Sequence, residues 1–301
     1  MRTRREFLAC LAAGAALATS ARAASAQPQL PVRSIPSTGE RLPIIGLGST
    51  KPVSMIGELG AERVEAIVRT LVEHGGRVVD TWPRDARNDG AFGRILDEPD
   101  LRGRLFVTLN VDQPGEQGIE QFERTLELYG RDPIDLANVG SLIDLDAHWP
   151  RLKAWKAQGR ARYIGVTAAR AELYDRLDAF LERETPDFVE INYSVTEREA
   201  ETRFLPMLAD RGIAVLNSRP FMNGEYFTRL QNEPLPEWTA DFGCRSWAEF
   251  SLQYILANPA VTCVLTETTN PLHMAENAET ASNPAPDAAA RQRMRAFIDA
   301  I

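Results

Sequence analysis

Short apolar runs alternate along the chain with longer amphipathic stretches. Runs that are apolar on nearly every position are typical of parallel strands buried on both faces. A run followed by an amphipathic stretch recurs eight times. The predicted strands are Pro43–Gly48, Arg77–Trp82, Leu105–Val111, Ile134–Gly140, Tyr163–Ala168, Phe188–Ser194, Ala214–Pro220 and Val261–Thr268.

The stretches between these runs carry apolar residues three and four positions apart, which is the spacing of one helix face. Within Ala61–Gly76, for example, Val64, Ile67, Val68 and Leu71 follow this spacing. The same pattern occurs in Glu116–Gly130, Leu173–Glu184 and Ala200–Gly212. Eight strand–helix repeats favour an α/β fold closed as a (β/α)8 TIM barrel, which takes about 250 residues, over an open doubly wound sheet.

Three further segments complete the predicted barrel. Turn residues 37–40 between Val32–Ile35 and Leu42–Ile45 predict an N-terminal hairpin. The long connection Phe221–Gly243 follows the seventh strand, where barrel loops cover an active site. Pro286–Ile301 has helical spacing and predicts a C-terminal helix, which either seals the barrel, the interpretation we favour, or docks on a partner.

The first 26 residues are typical of an export signal. Arg4 and Arg5 precede an alanine-rich apolar stretch that is too short to span a bilayer, and small residues offer cleavage after Ala23 or Ala26. The pattern Thr3–Leu8 resembles a twin-arginine signal, and a general secretory leader with an incidental arginine pair is the alternative. We therefore expect a signal peptide over residues 1–26, a single barrel domain over residues 27–301, and a periplasmic or secreted protein.

Charge and cysteine content limit the classes of partner. The formal net charge is −8 and the chain has no concentrated basic face, which argues against a nucleic-acid partner. Once the signal is removed, no membrane partner is expected. Cys10 leaves with the signal, whereas Cys244 and Cys263 either pair in an oxidising compartment or remain two buried thiols. The dispersed carboxylates, three histidines and two remaining cysteines lack the spacing of a metal site, so none is predicted.

Several short motifs follow one another at barrel-compatible spacing. They are Ile44–Ser49, Gly76–Thr81, Trp155–Arg160 with Tyr163–Thr167, Ile191–Ser194, Ser218–Phe221 and Asn258–Val264. In this order they resemble the aldo-keto reductases over nearly all of residues 32–282. The resemblance implies a (β/α)8 barrel that transfers hydride between NADP(H) or NAD(H) and a carbonyl substrate.

The resemblance also implies a catalytic tetrad of Asp, Tyr, Lys and His at the carboxyl ends of the strands, in which the Tyr protonates the developing alkoxide. Asp80 matches the Asp, whereas Asp85, Asn110 and Gly140 stand at the positions of the Tyr, Lys and His. An aspartate repels an alkoxide, an asparagine brings no charge, and a glycine has no side chain. The sequence therefore predicts that three tetrad members are lost.

Asp80 has two interpretations without its lysine. It either keeps a catalytic role, with Arg84 or Arg87 supplying the counter-charge, or is a polar residue at the barrel rim, which we favour. Trp82 is either a packing residue or part of a pocket mouth.

The resemblance implies cofactor contacts at Thr167, Glu190, Asn192, Tyr193, Ser218, Arg219, Glu276 and Asn277. The first four correspond to the nicotinamide site, with Glu190 in place of a Gln and Tyr193 stacking, the next two to the pyrophosphate and ribose, and the last two to the adenine. Glu267 brings a negative charge to the strand end where the family approaches the phosphates. Binding of NADP or NAD is therefore doubtful, and these residues are alternatively a remnant of ancestry.

Three functions remain after this comparison. The first is an exported aldo-keto-reductase-like pseudoenzyme, not a conventional carbonyl reductase, that binds a small-molecule ligand or a protein partner. The second is a diverged NAD(P)H-dependent oxidoreductase that holds its cofactor tightly and acts on an unknown carbonyl substrate. The third is an export passenger that folds only with another subunit.

Overall fold

The computed structural model describes residues 30–301 and contains a closed barrel of eight parallel strands. The barrel strands are β3 (Ile45–Gly48), β4 (Val78–Thr81), β5 (Phe106–Val111), β6 (Ile134–Val139), β7 (Ala161–Ala168), β8 (Phe188–Asn192), β9 (Ala214–Ser218) and β10 (Cys263–Thr266). They pair in chain order, and β10 closes the ring against β3. The predicted fold class and all eight strands are confirmed.

Helices follow the strands and cover the outside of the barrel. They are α1 (Thr50–Ser54), α2 (Ile56–Leu59), α3 (Ala61–Glu73), α4 (Ala86–Leu96), α5 (Gly115–Tyr129), α6 (Leu145–Ala157), α7 (Tyr174–Leu181), α8 (Glu199–Thr202), α9 (Phe204–Asp210), α10 (Glu225–Leu230), α11 (Trp247–Leu256), α12 (Pro271–Thr280) and α13 (Ala288–Asp299). Short 3-10 turns occupy Gly140–Leu142, Ala171–Leu173, Met222–Gly224 and Glu237–Phe242. In residues 30–301, no helix is both long enough and apolar enough to cross a membrane.

The predicted hairpin closes the lower end of the barrel, where the strands begin. Its strands β1 (Val32–Ser34) and β2 (Arg41–Pro43) pair antiparallel, and Ile35 directly after β1 and Leu42 in β2 join the apolar barrel interior. The hydroxyl of Thr38 lies 2.7 Å from that of Tyr163 in β7. The apolar interior beneath the site is therefore capped by the chain's own N-terminal segment.

The terminal helix α13 packs along the barrel wall. Met294 and Ile298 are buried, and the ring of Phe297 stacks on Trp247 with centroids 6.0 Å apart. Arg291 donates a 2.6 Å hydrogen bond to the hydroxyl of Tyr193. These contacts hold the helix against the barrel's own side chains; that it seals the barrel stays a prediction.

Cys244 and Cys263 are both free and buried. Cys263 belongs to the apolar lower interior, whereas Cys244 precedes α11 on the outer layer. Burial raises the pKa of the Cys244 thiol to about 12. The structure therefore agrees with the second alternative, in which Cys244 and Cys263 are separate buried thiols and do not form a disulfide. The predicted signal, with Arg4, Arg5, Ala23 and Ala26, lies outside the described residues.

Candidate active site

A cavity of about 540 Å³ opens at the upper end of the barrel, where the strands end. Asp80, Glu190 and Ser218 reach it from β4, β8 and β9. Phe221 and Phe227 cover it from the long connection after β9, as predicted for that segment. Trp82 also lines the cavity, as the pocket-mouth alternative predicted. Across residues 30–301, no group of three or more His, Cys, Asp or Glu side chains has the arrangement of a metal site.

Asp80 is buried and bound by neutral donors. Its Oδ1 accepts hydrogen bonds from the hydroxyl of Thr108 and from Nδ2 of Asn110, the latter at 3.2 Å. Burial raises the pKa of Asp80 from 3.8 to about 6; the bonds from Thr108 and Asn110 lower it, and the charge of Glu267 raises it. The proposed counter-charge from Arg84 or Arg87 is wrong, because Asp80 faces the barrel interior and Arg84 instead donates to the carbonyl of Pro83 at 3.0 Å.

Asn110 connects Asp80 to the opposite side of the barrel. Its Nδ2 also donates to the carbonyl of Thr81 at 2.9 Å, and its Oδ1 accepts from Thr167 at 2.9 Å. The Thr167 hydroxyl lies 3.4 Å from Oε2 of Glu190 as well, but its single proton favours the shorter contact with Asn110. Burial raises the pKa of Glu190, and the charge of Asp80 raises it further. Few hydrogen-bond donors therefore surround the carboxyl of Glu190.

Asp85 does not lie in the cavity lining. It is exposed and is the N-cap of α4, where its Oδ1 accepts from the backbone N–H groups of Arg87 at 3.1 Å and Asn88 at 3.0 Å. An aspartate at this position stabilises the start of the helix because it binds N–H groups that have no partner within the helix. Its local role therefore explains the residue without any catalytic function.

Gly140 leaves room for the ring of Trp82. A Cβ at this position would lie 2.7 Å from Cζ3 of Trp82 and 2.8 Å from the carbonyl oxygen of Val111, both closer than packed atoms allow. The tryptophan ring thus fills the space next to β6 into which a side chain at position 140 would extend. Any larger residue here requires the ring to move.

The residues assigned to a cofactor are only partly brought together. Glu190, Ser218 and Arg219 line the cavity, and Thr167 lies beside Glu190. Asn192 is buried and accepts a 3.0 Å hydrogen bond from the hydroxyl of Tyr174.

Tyr193 is fully buried and points toward α13, where Arg291 binds its hydroxyl at 2.6 Å, so it does not line the cavity. Glu276 is exposed on α12 and Asn277 is buried there, and neither belongs to the cavity lining.

These residues do not fit a dinucleotide well. Oε1 of Glu267 accepts a 2.8 Å hydrogen bond from the backbone N–H of Lys51, which holds a carboxyl at the strand end where the phosphates would approach. Burial raises the pKa of Glu267, and the bond from Lys51 lowers it. Arg219 is already engaged, with Nη1 3.3 Å from the carbonyl of Ala169 and Nη2 3.6 Å from Oε1 of Glu197.

Sequence reasoning missed several residues of the cavity wall. Lys51 follows β3, His273 lies in the first turn of α12 after β10, and Asn223 belongs to the long connection. Each comes from a segment that follows a barrel strand, so their positions after predicted strands were an available signal.

The profile of the Aldo/keto reductase family matches residues 44–296. The chain belongs to this family. It is 23% identical to the L-galactose dehydrogenase of Arabidopsis thaliana over 83% of the chain and 87% of that protein. It is 30% identical to an aldo-keto reductase of Mycolicibacterium vanbaalenii over 71% of the chain and 75% of that protein.

Solved structures show the same barrel. The holo form of aldo-keto reductase AKR11C1 from Bacillus halodurans superposes with a TM-score of 0.71 at 20% identity, covering 89% of this chain and 96% of that one. A Klebsiella pneumoniae aldo/keto reductase in complex with NADP and acetate gives 0.70 at 20% identity, covering 86% and 92%. At this level of identity the likeness establishes the fold, and NADP binding is a property of that relative.

Proposed function

We propose that this aldo-keto reductase family member is exported and binds a small molecule in its cavity, and that it is not a conventional carbonyl reductase. The observation that carries this proposal is the set of neighbours around Asp80. Its hydrogen-bond partners within residues 30–301 are Thr108 and Asn110, the ring of Trp82 fills the space beside Gly140, and Asp85 caps a helix. The family resemblance implies a tyrosine as the proton donor beside the carbonyl, and no tyrosine lines the cavity among the described residues.

Cofactor binding tests the proposal directly. Purified protein is titrated with NADPH and NADH while tryptophan fluorescence and the melting temperature are followed. A ligand at one hundred times its Kd stabilises a protein by about 2.7 kcal/mol, which a melting curve detects. We expect no effect at millimolar cofactor, because Glu190 and Glu267 place carboxyls where an anionic dinucleotide would lie. Micromolar binding would overturn the proposal.

A diverged NAD(P)H-dependent oxidoreductase is the second candidate. It is favoured by Thr167 and Ser218, which lie at or beside the cavity in the order that the family resemblance implies, and by the NADP complex of the Klebsiella pneumoniae relative. Micromolar binding in the titration above supports this candidate. Screening carbonyl substrates with wild type and Asp80→Asn would then establish whether Asp80 takes part.

Export through the twin-arginine route is a separate part of the proposal. The residues that support it are Arg4 and Arg5, ahead of an alanine-rich stretch. Residues 1–30 fused to a folded reporter should carry it into the bacterial periplasm, and Arg4→Lys with Arg5→Lys should abolish this transport. Transport that is unchanged in the double variant indicates the general secretory leader instead.

A further inference from the structure

Two carboxyl groups face each other on the cavity floor without a cationic partner. Asp80 in β4 and Glu190 in β8 lie four strands apart in an eight-stranded ring, so they approach from opposite walls. The interior of such a barrel is only wide enough for side chains to meet. In the described part of the chain, no ion pair joins either carboxyl to an arginine, lysine or histidine; their partners are hydroxyl and amide groups.

Both carboxyls keep acceptor capacity toward the cavity. Thr108 and Asn110 both donate to Oδ1 of Asp80, and in residues 30–301 no donor of normal hydrogen-bond geometry reaches its Oδ2. A hydrogen bond from the Trp82 indole also lowers the pKa of Asp80. Glu190 has a long contact to Thr167, whose proton is directed elsewhere, and the Ser218 hydroxyl beside it. An ionised carboxyl has about four acceptor sites, so each of the two keeps capacity for a donor from a ligand.

Ser218 provides an independent sign of a ligand. Its side chain is only 8% exposed and lines the same cavity, yet its Oγ has no hydrogen-bond partner among the described residues. Ser218 lies on β9 next to β8, close enough to Glu190 for its hydroxyl to lower the pKa of that carboxyl. Buried polar groups are normally paired, so an unpaired hydroxyl facing a cavity indicates a missing partner.

We propose that the cavity floor binds the ammonium group of a small primary amine between Asp80, Glu190 and Ser218. An ammonium has three N–H donors, one for each of these three groups. It also brings positive charge beside two buried carboxyls, which favours their ionised forms, whereas a neutral polyol does not and an anion is repelled by an ionised carboxyl. The inference rests on the proposed function, because a nicotinamide cofactor would occupy the same space.

The walls of the cavity determine the rest of the ligand. Trp82, Phe221 and Phe227 present aromatic surface above the carboxyls, and the volume of about 540 Å³ falls within the range of small-molecule sites. An aromatic face also attracts a cation. The ligand class is therefore a primary amine with an apolar, arylalkyl or alkyl body.

Three probes of similar shape distinguish recognition of the ammonium charge from recognition of the apolar body. They are phenethylamine, 2-phenylethanol and 3-phenylpropionate. Each is titrated into the mature protein by calorimetry at pH 7.5. We expect phenethylamine to bind at least tenfold more tightly than the alcohol, and the carboxylate not to bind. Equal affinity for amine and alcohol contradicts the inference, because the cavity would then select only the apolar body.

Variants test the residues themselves. Glu190→Gln should weaken phenethylamine at least tenfold, and Ser218→Ala several-fold, while 2-phenylethanol is unaffected by either. Glu73→Gln is the matched control, because it removes the same charge from an exposed position at the lower end of the barrel. If Glu190→Gln has a native melting curve and an unchanged affinity for phenethylamine, the inference is wrong. If Glu190→Gln does not fold, unchanged phenethylamine affinity in Ser218→Ala is the result that overturns the inference.

The same titrations separate this inference from the proposed function. If NADPH binds and displaces phenethylamine, the proposed function fails and the amine site survives as a subsite of the cofactor cavity. If neither NADPH nor phenethylamine binds, the amine inference is wrong and the proposed function stands. Binding of phenethylamine without NADPH supports both.

Discussion

The two ends of the barrel interior are equally buried but differ in polarity. The lower end is filled by aliphatic and aromatic side chains, among them Val78, Phe106, Leu136, Tyr163 and Phe188. The upper end is filled by polar side chains, among them Asp80, Thr108, Asn110, Thr167 and Glu190. The same strands supply both ends, since positions two residues apart point to the same side of a strand.

This difference separates stability from chemistry within one barrel. At the lower end, the ring centroids of Phe106, Tyr163 and Phe188 lie 5.5–6.0 Å apart, a normal distance for packed aromatic rings. At the upper end, buried carboxyls lose hydration and keep only neutral partners, which is unfavourable for the charged state. The lower end therefore stabilises the fold, and the upper end keeps reactive groups next to a cavity.

The largest expected effect comes from breaking the lower end. Phe188→Ala removes a fully buried ring and should lower the free energy of unfolding by about 3–5 kcal/mol. Phe227→Ala makes the same change at the cavity roof, where the residue is 39% exposed, and should cost less than about 1 kcal/mol. Urea unfolding measures both; similar losses would contradict the assignment of stability to the lower end.

Asp80→Asn should stabilise the protein at high pH. The pKa of about 6 in the folded state lies above the usual 3.8, so the ionised carboxyl disfavours folding, least below pH 3.8 and most above pH 6. We expect a gain of about 2–3 kcal/mol relative to wild type at pH 8 that vanishes near pH 4. Urea unfolding at both values measures it.

Asp85→Asn is the matched control for this experiment, because the residue is an exposed helix cap and Asn caps as well as Asp. A comparable gain at pH 8 from Asp85→Asn would mean that general charge reduction, and not burial of Asp80, is responsible.

Gly140→Ala tests the close packing of the Trp82 ring. The added Cβ meets that ring at 2.7 Å and should cost about 1–3 kcal/mol. In a Trp82→Leu background the cost should be smaller but not zero, because the carbonyl of Val111 remains 2.8 Å away. Gly103→Ala, where a Cβ meets nothing within 4 Å, is the control. An unchanged cost in both backgrounds would assign the strain to Val111 alone.

The smallest effect concerns Glu40 at the lower end, whose pKa is lowered by its surroundings, whereas that of Asp80 is raised. Although burial raises the pKa of Glu40, hydrogen bonds from Tyr163 and Arg77 and the charge of Arg162 lower it overall. Its stabilisation is therefore present above the usual pKa and is lost as pH falls through the lowered value. Glu40→Gln should cost about 1 kcal/mol at pH 7 and progressively less as the pH falls below the usual pKa of a glutamate, measured by urea unfolding. A cost independent of pH would contradict this sign.

Much of the fold was predictable because it depends on periodicity. The strand formed by Phe188–Asn192 and the helix Ala61–Glu73 were recognised from apolar runs and helical spacing. The side on which Tyr193 lies was not predictable, because a strand buried on both faces shows no alternation that distinguishes inside from outside. The part of the candidate site predicted from the strand ends, such as Asp80 and Glu190, was therefore better founded than the stacking role of Tyr193.

The sequence by itself determined the barrel, the hairpin and the chain's membership of a family of reductases, because the spacing of apolar residues and short motifs can be read from the linear sequence. Tertiary structure alone decided that the ring of Trp82 fills the space beside Gly140, that Asp85 caps a helix, and that Asp80 and Glu190 face each other across the cavity floor. These facts depend on distances between strands far apart in the chain, and only closure of the barrel sets those distances.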